Sequence, residues 1–69
     1  MKLSARNVLK GMVKSIDIGA VNTEVIIEIA PGIEVVSIIT KKSCKNLDLA
    51  VGREAYAVVK ASNVMVAVD

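Results

Sequence analysis

Val21, Thr23, Val25, Ile27 and Ile29 fall on alternate positions of one short stretch, with Asn22, Glu24 and Glu28 between them. A period of two sets the first group on one face of a strand and the second on the other. Val8 to Ile18 is rich in β-branched residues and punctuated by lysines, which also predicts a strand. Gly11 suggests a bend or bulge within it, and Gly19 ends it. Pro31-Gly32 is a strong turn signal. The segment after it, Ile33 to Thr40, is apolar on both faces: Ile33, Val35 and Ile39 on one, Val36 and Ile38 on the other. Such a strand is covered on both faces, and the simplest second cover is a neighbouring subunit.

Thr40 to Leu49 reads as a helix, too short to persist without packing. Gly52 closes the next turn. Glu54 to Lys60 and Val64 to Val68 read as the last two strands, joined by a corner at Ala61-Ser62-Asn63. The order β-β-β-α-β-β is that of an all-β domain, a small five-stranded OB-like barrel with one short helix, and residues 1–69 form that single domain. No linker, repeat or low-complexity segment interrupts it.

Composition adds a partner. Of 69 residues, 54% are hydrophobic, yet there is one Tyr and neither Phe nor Trp. A domain this small buries only about 60% of its unfolded surface, so aliphatic material in this quantity predicts burial against further copies. The net charge of +2 is compatible with anions but too slight to indicate nucleic acid. The single Cys44 suggests a reducing compartment, no apolar leader segment follows Met1-Lys2, and no run approaches the ~20 residues that cross a bilayer. A cytoplasmic protein that engages neither membrane nor nucleic acid is expected.

The chemistry open to the chain is narrow. It has no His, so neither a zinc site nor a base-activated nucleophile has its parts. Glu24 and Glu28 share a strand face as a solvated pair rather than as an acid and base, and no enzyme is expected. Three polar stretches stand out instead. Ser4-Ala5-Arg6-Asn7 offers a hydroxyl, a guanidinium fork and an amide, while Lys60-Ala61-Ser62 offers an ammonium and a hydroxyl. Each Ala is small enough for a ligand to reach backbone N–H groups. Thr40 and Ser43 open the short helix, whose first turn carries Lys41 and Lys42 instead of acids. Convergent donors without carboxylates suit a compact oxyanion, which only accepts hydrogen bonds. Each stretch also has a plainer reading: a solvated terminus, a hairpin corner and an ordinary N-cap.

Four segments together resemble a known family: SARNVLKGMV at 4–13, TEVIIEI at 23–29, SIITKKSCKNLDL at 37–49 and AVVKASNVMVAV at 57–68. Over essentially its full length the chain resembles the molbindins, the small free-standing Mop proteins of the molybdate-binding (TOBE-like) superfamily. It departs from them at Leu47-Asp48-Leu49, where the resemblance leads one to expect Leu-Gly-Leu. The resemblance implies an OB-like barrel with an exchanged N-terminal strand, assembled as a homohexamer, a trimer of dimers. It implies molybdate or tungstate as ligand at subunit interfaces, for intracellular storage and homeostasis, with no metal bound as a cation and no further cofactor. The implied contacts are Ser4, Ala5, Arg6 and Asn7 of one chain and Lys60, Ala61 and Ser62 of another, with Thr40 and Ser43 at matching positions. Two other classes are weighed against it. A nucleic-acid-binding OB domain would want stacking aromatics and a basic groove. A purely structural or regulatory oligomerisation module would be expected to accompany a larger protein.

Overall fold

The computed structural model describes all residues from Met1 to Asp69. Four strands, β1 (Asn7–Ile18), β2 (Asn22–Ala30), β3 (Ile33–Thr40) and β4 (Glu54–Val59), form one antiparallel sheet in the order β3-β2-β1-β4. A single helix, α1 (Lys41–Asn46), lies between β3 and β4, and a 3-10 turn spans Ala61–Asn63.

The first strand is long because it serves two partners. Its N-terminal half, Asn7 to Met12, pairs with Val59 to Glu54 of β4. Its C-terminal half, Met12 to Ile18, pairs with Glu28 to Thr23 of β2. Gly11 stands at the changeover, where a Cβ would lie 2.5 Å from the Glu28 carbonyl oxygen and 2.8 Å from Ile27 Cγ2. Its role is close approach of two backbones. The bulge expected there falls instead at Lys14, where Val13 faces Ile27 and Ser15 faces Ile26. The extra residue sharpens the local twist and resets which side chains point inward, so that Val13 and Ile16 both do.

The alternation in β2 is realised: Thr23, Val25 and Ile27 are buried, whereas Asn22 and Glu24 are exposed. Val13, Val25, Ile27 and Ala57 make the core, with Ile16, Ile29, Val35, Ile39 and Leu49 packed against it. In β3 the Val35 and Ile39 face turns inward, while Val36 and Ile38 are exposed.

Helix α1 is shorter than expected, and its end has a clear cause. Leu49 N–H donates to the Cys44 carbonyl at 3.3 Å and Asp48 N–H to the Lys45 carbonyl at 3.0 Å. This is the Schellman arrangement, and Asp48 occupies its left-handed position with φ 52°. The departure from Leu-Gly-Leu therefore falls where glycine is the unstrained choice. Gly32 and Gly52, with φ of 76° and 90°, supply the other two left-handed turns.

One expectation about the barrel is not met within the single chain. The fifth strand does not form: Val64 to Val68 pairs with nothing, and Met65, Val66 and Val68 are 94%, 90% and 93% exposed. A strand needs a neighbour's N–H and C=O groups, and the chain offers this segment none. Within the single chain β1 is paired to β2 and β4. The segment left without a partner is the C-terminal one.

Candidate functional site

The β1–β4 ladder brings two of the three polar stretches together. Asn7, the first residue of β1, stands opposite Val59, the last of β4. Its Nδ2 donates to the Val59 carbonyl at 3.2 Å, tying the ladder closed at its end. The chain enters through Ser4, Ala5 and Arg6 and leaves through Lys60, so these residues flank the same strand end. Ser4 and Arg6 are exposed, and Ala5 and Asn7 half-buried. Lys60 is extended, with φ −64° and ψ 134°, and Ala61 to Asn63 then curl into the 3-10 turn, all exposed. Asn63 N–H donates to the Lys60 carbonyl at 2.8 Å, so this corner is more compact than a plain hairpin corner. Neither Arg6 nor Lys60 takes part in any of the chain's ion pairs, which join Lys10 to Glu54, Lys14 to Glu28 and Glu34, and Arg53 to Asp48. Two free cations and two uncommitted hydroxyls, Ser4 and Ser62, are thus set at one strand end.

Thr40 and Ser43 lie elsewhere. Thr40 ends β3 and caps α1: its Oγ1 accepts from Ser43 N–H at 3.0 Å and donates to Ser43 Oγ at 2.8 Å. This is the N-cap role. Because Ser43 Oγ accepts from Thr40, its own O–H stays free to donate. No acid occupies the first turn of α1, and Lys41 and Lys42 leave the helix start positive.

The third stretch is not joined to the other two within one chain. Thr40 pairs with Asn22, at the β2 end that meets the C-terminal end of β1. Asn7 starts β1, eleven residues from Ile18, on the order of 35 Å measured along an extended strand. Sequence reasoning also missed a residue. Thr23 is completely buried, and its Oγ1 has no hydrogen-bond partner. Its signal was present: a hydroxyl in a row of inward-facing Val and Ile.

The family profile of the TOBE domain matches residues 3–66. A probable molybdenum-pterin-binding protein of Haemophilus influenzae is 51% identical over 69 residues, covering 100% of both chains. MopII from Clostridium pasteurianum superimposes with a TM-score of 0.90 at 43% identity, over 97% of this chain and 100% of that one. A molybdate-binding protein from Sporomusa ovata also gives a TM-score of 0.90, at 39% identity, over 97% of this chain and 98% of its own. The chain belongs to the TOBE domain family.

Proposed function

We propose that this protein binds molybdate, and tungstate as well, at the interfaces of a homohexamer arranged as a trimer of dimers, and stores the oxyanion in the cytoplasm. The observation that carries the reading is the strand end where Asn7 meets Val59, with Arg6 and Lys60 both unpaired beside it. A tetrahedral dianion supplies the countercharge and the acceptors that this set lacks. Ser4, Ala5, Arg6, Asn7, Lys60, Ala61 and Ser62 would hold it, with Thr40 and Ser43 contributed across an interface. The distance along β1 is the reason for assigning them to another chain. The relatives named for molybdate and for molybdenum-pterin support the choice of ligand.

Surface area supports an assembly. The chain exposes 5577 Å², whereas a folded monomer of 7.3 kDa exposes roughly 4,200 Å². The excess exceeds what one partner contributes to a standard interface, about 800 Å². Only six of 69 residues are buried, too few to absorb the aliphatic content. A groove of about 390 Å³ between β3 and β4 is floored by Val25 and Ile27 and walled by Ile39 and Val58. Its lining is mostly apolar, which suits a strand such as Val64 to Val68 from a second copy, and we propose that segment for the exchange. Elemental analysis of the purified protein for molybdenum and tungsten, alongside its native mass, tests the proposal: oxyanion carried by a hexamer is expected. A monomer that takes up neither metal from millimolar molybdate or tungstate would refute it.

A further inference from the structure

Directly opposed residues of an antiparallel ladder share a face, and the register gathers one such set on the outer side of β2 and β3. Glu24 stands opposite Ile38, Ile26 opposite Val36 and Glu28 opposite Glu34, with Asp17 of β1 on the other side of Glu24. Val36 and Ile38 are 60% and 67% exposed, and Ile26 beside them is half-buried. The three form a contiguous apolar strip open to solvent.

Charge on this face is segregated. It carries four of the chain's seven acids and, in Lys14, one of its nine cations, a net charge of −3 against +5 for the remainder. Lys14 holds Glu28 and Glu34 at one end of the strip. Asp17 and Glu24 face each other at the other end without an ion pair, a like-charged arrangement that costs stability. A shallow depression of about 270 Å³ lies among them, Asn22 and Ile38.

We infer that this strip is the contact through which one dimer docks on the next, head-to-tail against a basic surface of a second copy, whose cation enters the depression between Asp17 and Glu24. The inference rests on the hexamer proposed above. The groove proposed for the exchanged strand is lined by Val25, Ile27 and Ile39, which point to the opposite side of the sheet, so the exchange leaves the strip uncovered. A face of charge −3 repels its own image, which disfavours a two-fold contact of the strip with itself. A three-fold contact joins different surfaces of two copies, and the remainder of the chain, at +5, supplies the opposite charge. Thr40 follows Ile38 two positions along β3, so docking here carries Thr40 towards the interface where the oxyanion site calls for it.

The test is sedimentation velocity of the full-length wild type, Val36→Ser/Ile38→Ser and Asp17→Asn/Glu24→Gln at low ionic strength, with circular dichroism to confirm the fold. All four altered side chains are exposed. The serine variant is expected to sediment as a dimer. The neutralised variant should need at least about tenfold more protein than wild type to form hexamers. Its direction is diagnostic, because removing the acids would tighten assembly if the strip met its own image. With a hexameric wild type, the inference is overturned if the serine variant stays hexameric or falls to monomers, or if the neutralised variant assembles as well as wild type or better. A wild type that never reaches six chains would instead overturn the hexamer reading, and this inference with it.

Discussion

Asn7 Nδ2 donates to the carbonyl oxygen of Val59 at 3.2 Å, fastening the N-terminal stretch to the residue immediately before Lys60. The bond spans 52 positions of sequence, yet it joins the two stretches richest in unexplained polar groups. Its geometric consequence is that Arg6 and Lys60 share one strand end in a single chain. The Val64 to Val68 segment, by contrast, pairs with no strand of its own chain.

Val66 is 90% exposed in the isolated chain and is expected to be covered in the assembly. Val66→Asp should dissociate the oligomer, because burying an unpaired carboxylate costs far more than burying a valine returns. Sedimentation velocity checks this. A hexamer of unchanged mass in this variant would show that the segment stays in solvent.

Gly11 leaves no room for a methyl group against the Glu28 carbonyl and Ile27. Gly11→Ala should destabilise the fold by about 1–3 kcal/mol, since the obstacle is partly backbone and cannot rotate away. Denaturant unfolding measures it. A loss below about 0.5 kcal/mol would mean that β1 and β2 shift apart more easily than their pairing suggests.

Asp48 holds a left-handed backbone at φ 52°, and its carboxylate pairs with Arg53 at the surface. Glycine would remove the strain but lose the pair, which is worth about 0–1 kcal/mol. Asp48→Gly should therefore stay within about 1 kcal/mol of wild type. Asp48→Ala keeps the strain without the pair and should be less stable than either, and the β-branched Asp48→Val less stable still. Thermal unfolding of the four proteins gives the order directly.

Lys14 reaches Glu34 and Glu28, two carboxylates that face each other across β2 and β3. The hydrogen bond to Glu34, and next that to Glu28, raise the Lys14 ammonium above its ordinary pKa. A raised folded value means that the contribution is complete below the ordinary lysine range and is lost as pH climbs through the raised value. The group is exposed, so the effect is small. Lys14→Met should cost stability at pH 7, where it leaves two like charges opposed, and little at pH 3, where carboxylates are protonated. Equal losses at both pH values would assign the cost to packing.

The parts of the fold legible in the sequence are those set by local rules. The inward row of β2 followed from a period of two, the turns at Gly32 and Gly52 from glycine, and the start of α1 from the hydroxyl of Thr40. The bulge at Lys14 was not legible, because it answers to the ladder between β1 and β2 rather than to any residue's own preference. Val64 to Val68 has a strand's composition but no strand beside it, and composition does not say which chain provides one. The candidate site was legible as three sets of donors. That two of them adjoin and the third stands far along β1 depends on pairing register. Thr23 passed as one more inward residue because burial of a hydroxyl shows only when its surroundings are built.

The central claim, an oxyanion site around Arg6 and Lys60, is tested most directly by titrating molybdate into wild-type protein, Arg6→Ala and Lys60→Ala in a calorimeter at constant ionic strength. Each variant removes one charge-assisted donor, and each should weaken binding by about 1.5–3 kcal/mol while leaving the native mass unchanged. Molybdate bound with wild-type affinity by both variants would contradict the account and place the site elsewhere.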